Sequence, residues 1–407
     1  MILILEFPAY TEARDLLLRH ARPVGMETVP LDDSLGRILA EDLIAAENIP
    51  GFDRTAYDGY AFRASDIAGA SRETPVTLRI TEEIPAGATP TKTVTAGFCA
   101  KVLTGAPIPP GADTVINYEV TDFTDETVTF FEPVAHGSNI VRAGEDVEKG
   151  AVLARRGDVI DPGTVGTLAA QGVTQPLVFR RPRVAVLSTG SELVDADRTP
   201  GEGQIRNTNA HTLSAALRRI GAEPVYLGIA VDTAEGIAAL LEKGLRECDA
   251  VISTGGVSVG DYDLTPAAME RAGVETLVRG VALKPGMACA YGVRGGKLVC
   301  GLSGNPASCV VNFYTVAQSA LRALCGFRAP IPEEITLTLA SAFSKPSKVT
   351  RVLRGTLDLR DGTARLLLPK SQGNAVLSST IGCDVFAVVP AGSGPLEPGT
   401  KIKGFLL

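Results

Sequence analysis

The sequence predicts a multidomain α/β protein with three kinds of module. A doubly wound, mostly parallel sheet domain is combined with β-rich N-terminal modules and a C-terminal β-barrel. From about residue 182, predicted strands, loops and helices alternate, as in a parallel sheet covered by helices. After about residue 329, short predicted strands follow one another without a long helix, which is typical of a small barrel.

Length and composition are those of a globular protein. The chain has 407 residues, 45% of them hydrophobic, which predicts two to four domains. A net charge of −7 and the lack of tryptophan argue against nucleic-acid binding. Seven cysteines without a CxxC pair predict a reducing, cytoplasmic location. No apolar run predicts a membrane span, and the short apolar start has no basic region typical of a signal peptide.

The first part of the chain is predicted to be mainly β. Amphipathic spacing predicts a helix over residues 10–22, and Pro162 favours a helix start within 161–172. Residues 49–62 combine four aromatic side chains with charges and the turn signal Asp58-Gly59. Asp58 is therefore either a positioned catalytic carboxylate or part of a structural turn. Strands are predicted in three stretches between the helices, namely 76–101, 115–120 and 127–131.

Polar side chains follow the predicted strands of the second part. Open α/β sheets bind ligands at the carboxyl ends of their strands, so these side chains predict a site at one edge of the sheet. They are Ser188, Thr189, Glu192, Asp232, Thr254, Asp261, Asp263, Lys284 and Ser303.

The stretch 250–265, AVISTGGVSVGDYDLT, carries the most specific pattern at this edge. A buried strand runs into glycines whose backbone N–H groups can approach an anion closely. Asp261 and Asp263 follow, and carboxylates of this kind suit Mg²⁺ or activation of a water molecule. The pattern favours phosphate chemistry, although an ordinary strand and loop with solvent-facing acids also fits it. A second anion site is predicted where residues 303–305 offer free N–H groups before a long helix that starts at Pro306.

Seven motifs, in order, carry a resemblance that covers nearly the whole chain. They are IPGFDRTAYDGYAF, LTGAPIPPGAD, GEDVEKG, STGSEL, STGGVSVGDYD, LKPG and GLSGNP. On these motifs the chain resembles the molybdopterin molybdenumtransferases, the bacterial molybdate-inserting enzymes whose eukaryotic counterpart is the gephyrin E domain. The resemblance implies four domains, which we expect at 1–50 with 140–178, 51–139, 179–328 and 329–407.

The resemblance also implies a reaction and its participants. Such enzymes insert molybdate into adenylylated molybdopterin and release AMP with the help of Mg²⁺. They form elongated homodimers whose active site lies between the sheet domain of one subunit and the smaller domains of the other. A molybdopterin adenylyltransferase is a possible partner, and neither nucleic acid nor a membrane is expected.

Site residues follow from the resemblance position by position, together with the sheet-edge argument. The catalytic residues are expected to be Asp58, Thr104, Glu192, Asp232 and Asp263. The Mg²⁺ ligands are expected among Asp58, Asp146, Glu192, Asp232 and Asp263. The pterin, its phosphate and the oxyanion are expected to contact Thr189, Gly190, Gly255, Gly256, Ser258, Gly260, Lys284, Ser303, Gly304 and Asn305.

Three positions depart from the family pattern. Met287 replaces the second lysine of the molybdate-binding KPGKP, Ser303 replaces a proline, and the run Thr55-Ala56-Tyr57-Asp58 stands where the family has Ser-Ala-Met-Asp. Losing one charge-assisted hydrogen bond costs about 1.5–3 kcal/mol, or roughly tenfold to a hundredfold in affinity. We therefore expect weaker molybdate binding or a preference for another oxyanion such as tungstate, with Ser303 as a partly compensating neutral donor.

Two alternatives to the transferase follow. One is a paralogue that binds molybdopterin or its adenylylated form without turnover, which the loss of the lysine favours. The other is the related adenylyltransferase, which shares the sheet domain; the additional residues 1–178 and 329–407 argue against it.

Overall fold

The computed structural model describes residues 7–257 and 264–407, apart from the side chain of Asp361. These residues form two compact units. The first contains Met1–Glu41, Arg156–Pro162 and Gln175–Leu407, and the second contains Asp42–Arg155 and Gly163–Thr174. The four-domain division of the sequence analysis stays a prediction.

Seven α-helices are assigned within the described residues. In chain order they are α1 Tyr10–Arg19, α2 Pro162–Ala170, α3 Asn209–Arg219, α4 Ala234–Glu247, α5 Thr265–Arg271, α6 Pro306–Asn312 and α7 Gln318–Leu324. A π-helical turn, Phe313–Ala317, joins α6 to α7, so the long helix predicted from Pro306 is present. None of the helices in the described ranges has the length and apolar character needed to cross a membrane.

The strands are numbered in chain order. In the N-terminal half they are β1 Met26–Thr28, β2 Leu43–Ile44, β3 Arg54–Thr55, β4 Gly59–Phe62, β5 Val76–Ile84, β6 Phe98–Val102, β7 Thr114–Asn117, β8 Asp122–Phe123, β9 Thr127–Phe130, β10 Ile140–Val141, β11 Val152–Ala154 and β12 Leu177–Phe179. In the C-terminal half they are β13 Arg183–Thr189, β14 Leu193–Val194, β15 Ile205–Arg206, β16 Glu223–Ala230, β17 Ala250–Thr254, β18 Glu275–Arg279, β19 Leu283–Lys284, β20 Ala290–Arg294, β21 Lys297–Leu302, β22 Glu334–Leu339, β23 Thr350–Asp358, β24 Arg365–Leu367, β25 Val385–Val389 and β26 Lys401–Leu406.

The first unit contains the predicted doubly wound sheet. Its strand order is β16-β13-β17-β21-β20-β18; the first four strands are parallel, and β20 and β18 continue the sheet antiparallel. Alternating residues of β13 face opposite cores, because Val184 and Val186 pack with α3, α6 and α7 while Ala185 and Leu187 pack with α4 and α5. Helices therefore cover both faces, as the alternation in the sequence predicts.

The same unit contains a closed barrel of five strands. β23 pairs with β24 and β25, β22 pairs with β24 and β26, and β25 pairs with β26, which completes the ring. Leu337, Leu353, Leu366 and Val385 fill its interior. The predicted C-terminal barrel is confirmed, and β19 is added to it through a parallel pairing with β23.

The second unit is built around a six-stranded sheet of order β7-β4-β6-β5-β9-β8. All residues of β4 are buried because both faces of the sheet are covered. Tyr60 and Phe62 pack into one apolar cluster, and Ala61 packs into the other. The prediction of a β-rich N-terminal region is confirmed.

Candidate functional site

Three parallel strands of the doubly wound sheet end side by side. Ser188 of β13 is level with Thr254 of β17, and Thr254 is level with Leu302 of β21. The loops that follow these strands therefore leave the sheet at the same edge. This register brings the ends of β13, β17 and β21, with Ser188, Thr189, Thr254 and Ser303, to one edge of the sheet, as the sequence predicts.

Two carboxylates flank the end of β13. The Thr189 hydroxyl donates a hydrogen bond of 2.9 Å to Asp232 Oδ1. The Glu192 carboxylate folds back over Gly190, because a Cβ built on that glycine would lie 2.5 Å from Glu192 Oε2. Both acids are exposed, and neither forms an ion pair with a residue that the structure describes. As far as the described residues go, the edge of the sheet therefore carries two negative charges without an ion-pair partner.

Glycine backbone packs directly behind these acids. Gly255 has a φ of +98°, and a Cβ at this position would overlap the Thr189 carbonyl oxygen. Its N–H donates to the Leu302 carbonyl at 3.0 Å, and its carbonyl accepts from the Thr265 hydroxyl at 2.8 Å. Gly304 lies next to it, since its Cβ would be in ordinary van der Waals contact with the Gly255 Cα, at 3.4 Å. Glycine is therefore required at position 255 for the ends of β13 and β17 to meet this closely.

The loop before α6 does not offer all the free amides that the sequence predicts. The N–H groups of Ala307 and Ser308 donate to the Asn374 carbonyl at 3.1 and 3.3 Å. The Asn305 N–H donates to Ser303 Oγ at 3.4 Å. Of residues 303–305, which are predicted to offer free N–H groups, Asn305 therefore makes a hydrogen bond within the loop, and the anion site stays a prediction.

A buried arginine fixes the loop that provides the Asn374 carbonyl. Arg354 is 0% exposed, and its guanidinium donates to Ser379 Oγ at 3.0 Å and to the Gly373 carbonyl at 3.2 Å. The Gln372 side chain bonds to both backbone groups of Arg354. The barrel thereby holds the start of α6 in place, directly after Ser303-Gly304-Asn305.

Lys284, the predicted oxyanion ligand, lies at the end of β19. Its side chain is exposed, and β19 pairs in parallel with β23 so that Lys284 is level with Arg351. Met287 is 42% exposed, three residues further on. No hydrogen bond within the described residues joins Lys284 to the Glu192 and Asp232 group.

In the second unit, the predicted residues Asp58 and Thr104 are in direct contact. Asp58 Oδ1 accepts hydrogen bonds of 2.6 Å from both the N–H and the hydroxyl of Thr104. These two donors hold the pKa of Asp58 below its ordinary value, the hydroxyl making the larger contribution. Asp58 is therefore a fixed and ionised carboxylate at the surface of this unit.

Asp146 lies in the loop between β10 and β11 of the same unit. Its N–H donates to the Ile49 carbonyl at 3.0 Å, and its side chain is exposed. No hydrogen bond within the described residues joins Asp146 to Asp58 or Thr104. In the same loop, Arg142 forms a 2.6 Å ion pair with Asp53, which ties it to the 49–62 stretch.

The contact between Asp58 and Thr104 gives a direct prediction. Thr104→Val keeps the backbone donor and removes the hydroxyl, so the pKa of Asp58 rises towards its ordinary value. At a given acidic pH less of Asp58 is then ionised, and the acidic limb of any activity that needs the carboxylate moves to higher pH. A carbon-13 NMR titration of the Asp58 carboxyl measures the shift. Thr77→Val, on β5, is the control, and an unchanged Asp58 titration in Thr104→Val would contradict the assignment.

Part of the predicted site lies outside the described residues. This applies to Ser258, Gly260, Asp261 and Asp263. Among the residues that the structure does describe, no group of three or more histidine, cysteine or acidic side chains is arranged to hold a metal ion. The Mg²⁺ ligands therefore stay a prediction.

Sequence reasoning missed several residues around the site. Arg351, Arg354 and Asn374 are brought to the site by barrel strands and loops far away in the sequence. Asn209 of α3 donates to the Gly304 carbonyl at 2.8 Å. Of these residues, only the two arginines could have been noticed in the sequence. Their neighbours Val352 and Leu353 are apolar, and an arginine within a buried strand is unusual.

Family models match the chain in three consecutive parts. Residues 9–172 match the MoeA N-terminal region (domain I and II). Residues 185–323 match a probable molybdopterin binding domain, and residues 336–407 match the MoeA C-terminal region (domain IV).

Named relatives agree with these matches. A molybdopterin molybdenumtransferase of Bacillus subtilis is 34% identical over 385 residues, covering 94% of this chain and 90% of the relative. One of Staphylococcus aureus is 33% identical over 375 residues, covering 92% and 90%. The crystal structure of a molybdopterin biosynthesis moeA protein from Pyrococcus horikoshii superposes with a TM-score of 0.85 at 32% identity, covering 98% of this chain and 99% of that one. The chain therefore belongs to the molybdopterin molybdenumtransferase (MoeA) family.

Proposed function

We propose that this chain is a transferase of molybdenum cofactor synthesis that inserts molybdate into adenylylated molybdopterin and releases AMP. Its membership of the family supports the reaction class, since the relatives named molybdopterin molybdenumtransferase match over most of its length. The observation that carries the proposal is the pair Glu192 and Asp232, two carboxylates at the edge of the sheet that form no ion pair with any residue the structure describes.

The geometry of this pair suits a cation bound together with a phosphate. Mg²⁺ prefers hard oxygen ligands and typically takes one or two carboxylates plus phosphate oxygens and waters. Glu192 and Asp232 provide such oxygens, and Asp232 keeps Oδ2 available because Thr189 bonds to Oδ1. When bound there, Mg²⁺ would neutralise the phosphoanhydride and polarise a water. In this proposal the Thr189 hydroxyl fixes the Asp232 carboxylate, and Gly190 leaves room for the Glu192 carboxylate beside it.

The remaining predicted residues have proposed roles beside this pair. Gly255, Gly256 and Gly304 are proposed to shape the pyrophosphate site by letting the loops after the strands pack closely against their neighbours. Lys284 attracts the oxyanion, assisted by the hydroxyl of Ser303, which keeps its proton free to donate because Oγ accepts from Asn305. Asp58, Thr104, Asp146 and Asp263 are proposed as catalytic or metal-binding residues on the resemblance, and the hydrogen bonds between Asp58 and Thr104 support the first two.

One assay tests the function and separates the alternatives. The chain is supplied with adenylylated molybdopterin, molybdate and Mg²⁺, and AMP and inserted molybdenum are measured. Release of AMP with metal insertion is the expected result. Tight binding without AMP would show the non-catalytic paralogue, and consumption of ATP on free molybdopterin would show the adenylyltransferase. Family models that match before and after the sheet domain favour the transferase over that last possibility.

Assembly and location are part of the proposal. We propose a homodimer, which is supported by an exposed apolar pair in the second unit: Ile44 and Val152 lie level on β2 and β11 and are 55% and 48% exposed. Sedimentation of the chain and of an Ile44→Glu variant tests this. A cytoplasmic location fits the seven cysteines, all of which are free thiols. A molybdopterin adenylyltransferase stays a proposed partner.

A further inference from the structure

A series of hydrogen bonds links the surface of the doubly wound sheet to the buried ends of β13 and β17. Asp195 Oδ1 accepts from the Tyr226 hydroxyl at 2.8 Å, and the Tyr226 oxygen accepts from Asn207 Nδ2 at 3.0 Å. Asn207 Oδ1 accepts from the Ser188 hydroxyl at 3.1 Å, and Ser188 Oγ accepts from the Thr254 hydroxyl at 3.0 Å. Side chains from three strands and two loops are therefore connected in one line, which we call the Asp195 relay.

The direction of the donors in the Asp195 relay is fixed by groups that act in only one way. At neutral pH a surface carboxylate only accepts hydrogen bonds, so the Tyr226 hydroxyl donates its proton to Asp195. The backbone N–H of Ala210 only donates, and it lies 3.3 Å from Asn207 Oδ1, which orients the Asn207 amide. Both strand hydroxyls then donate towards this amide. Aligned donors polarise one another, so the loss of one bond weakens the others.

The inner members of the relay are buried and the outer members are exposed. Ser188, Thr254 and Asn207 are 0%, 1% and 2% exposed. In contrast, Tyr226 is 40% exposed, and Asp195 lies at the surface. A buried hydroxyl or amide without a partner is costly, so each inner side chain keeps its orientation only while its neighbour does.

The outer end of the relay is held by the short strands β14 and β15. These strands pair in parallel, so Asp195 and Asn207, which follow them, leave the pair side by side. Arg206 Nε donates to the carbonyls of Ala196 and Arg198 at 3.2 and 3.1 Å. The loop that carries Asp195 is therefore anchored, and its carboxylate is a fixed acceptor for the relay.

Each inner end of the relay lies one residue before a part of the proposed site. Ser188 precedes Thr189, whose hydroxyl donates to Asp232 at 2.9 Å. Thr254 precedes Gly255, where a Cβ would overlap the Thr189 carbonyl oxygen. The hydrogen bond between Ser188 and Thr254 therefore holds the ends of β13 and β17 against each other directly behind these groups.

We propose that Tyr226 and Asp195 are positioning residues for the reaction, which act through Asn207 on the ends of β13 and β17. This rests on the proposed function, in which Asp232 binds the cation beside the phosphates. With the relay intact, Thr189 keeps one orientation and presents the Asp232 carboxylate in one position. Breaking the relay at the surface lets the buried hydroxyls reorient, which displaces Asp232 from the position that the reaction needs.

The kinetics of AMP release by the full-length chain test this inference. Tyr226→Phe removes only the hydroxyl and keeps the ring beside His211, and it is expected to lower kcat about threefold to tenfold. KM for adenylylated molybdopterin is expected to change less than about twofold, since a positioning residue does not contact the substrate. Asp195→Ala is expected to match Tyr226→Phe. Asp195→Asn keeps an acceptor oxygen and is expected to lie nearer the unaltered chain. Asp197→Ala, an exposed acid in the same loop, is the control and is expected to change kcat less than about twofold.

The double variant Asp195→Ala/Tyr226→Phe distinguishes one relay from two separate contacts. It is expected to lose no more activity than Tyr226→Phe alone, because both substitutions interrupt the same series of bonds. A double variant whose loss is the product of the two single losses would overturn the inference. Single variants that keep full kcat would also overturn it and would leave the proposed function intact.

Nitrogen-15 NMR spectra provide a measurement that does not depend on activity. The backbone amide signals of Thr189 and Gly255 are expected to shift in Tyr226→Phe, because the relay reaches them through Ser188 and Thr254, and to stay in place in the Asp197→Ala control. Unchanged signals in Tyr226→Phe would overturn the inference whether or not the chain releases AMP. A chain that shows the shifts but releases no AMP would overturn the proposed function, while the connection from Tyr226 to the strand ends would stand.

Discussion

Replacing Asp232 by asparagine is expected to lower the rate of AMP release by about 100-fold or more, while the protein remains folded. The reason lies in the two oxygens of this carboxylate. Oδ1 accepts the Thr189 hydroxyl at 2.9 Å, and an asparagine oxygen can accept the same hydrogen bond. The substitution thus keeps the local geometry and removes the charge that we propose compensates Mg²⁺ and the phosphates. Product formation is followed as AMP by chromatography at saturating Mg²⁺.

Asp197→Asn is the matched control for this prediction. Asp197 is an exposed acid that follows β14 in the same unit, and its loss changes the net charge by the same amount. We expect it to keep the AMP release rate within about twofold, in line with the small effect of isolated surface charges. Equal losses in both variants would mean that overall charge rather than the Asp232 position matters. A fully active Asp232→Asn protein would remove Asp232 from the catalytic residues.

The sheet edge could be predicted from the sequence because it depends on two local features, the alternation of strands with helices and the residues that follow each strand. Alternating apolar strands and helices specify a parallel sheet, and the residue after each strand is then placed at the carboxyl edge whatever the rest of the chain does. Thr189, Glu192, Asp232 and Gly255 follow this rule, and the structure places them around the ends of β13 and β17. The antiparallel strands β18 and β20 are a different case, since their direction depends on the turns between them.

The barrel side of the site could not be predicted in the same way. Its contacts join residues that are far apart in the chain, such as Lys284 with Arg351 and Ala307 with Asn374. Strand β26, which closes the barrel, was not among the predicted strands, although Ile402 and Gly404 alternate with exposed neighbours. The sequence pattern around α6 does not show that a carbonyl from a distant loop accepts hydrogen bonds from the N–H groups of Ala307 and Ser308. Tertiary packing therefore decides whether these amides are available to an anion.

The buried polar contacts at the sheet edge also depend on tertiary packing and could not be predicted from the sequence. Asn207 is 2% exposed; its Oδ1 accepts from the Ser188 hydroxyl at 3.1 Å and its Nδ2 donates to the Tyr226 hydroxyl at 3.0 Å. The Thr254 hydroxyl in turn donates to Ser188 Oγ at 3.0 Å. These bonds link β13, β17 and β16 immediately below the predicted site. An asparagine in a polar loop gives no sign of such a role until the strands are assembled.

The second large effect is expected for Gly255→Ala, which should lower AMP release about 100-fold or more and destabilise the fold by about 2–4 kcal/mol. Two costs combine at this position. A φ of +98° is unfavourable for any residue with a Cβ, and that Cβ would overlap the Thr189 carbonyl oxygen. Relief of the overlap has to move Thr189, whose hydroxyl holds Asp232. A change in the backbone at position 255 therefore displaces Asp232, the proposed catalytic acid, through Thr189.

Gly228→Ala separates these two costs. Gly228 lies on β16 of the same sheet with a φ of +96°, and its Cβ would meet nothing within 4 Å. Alanine there incurs the backbone strain alone, about 1–2 kcal/mol, and is expected to leave AMP release nearly unchanged. Denaturant unfolding and AMP release are measured on both variants. If the two alanines reduce stability and activity equally, the contact between Gly255 and Thr189 does not position the site; a selective loss in Gly255→Ala means that it does.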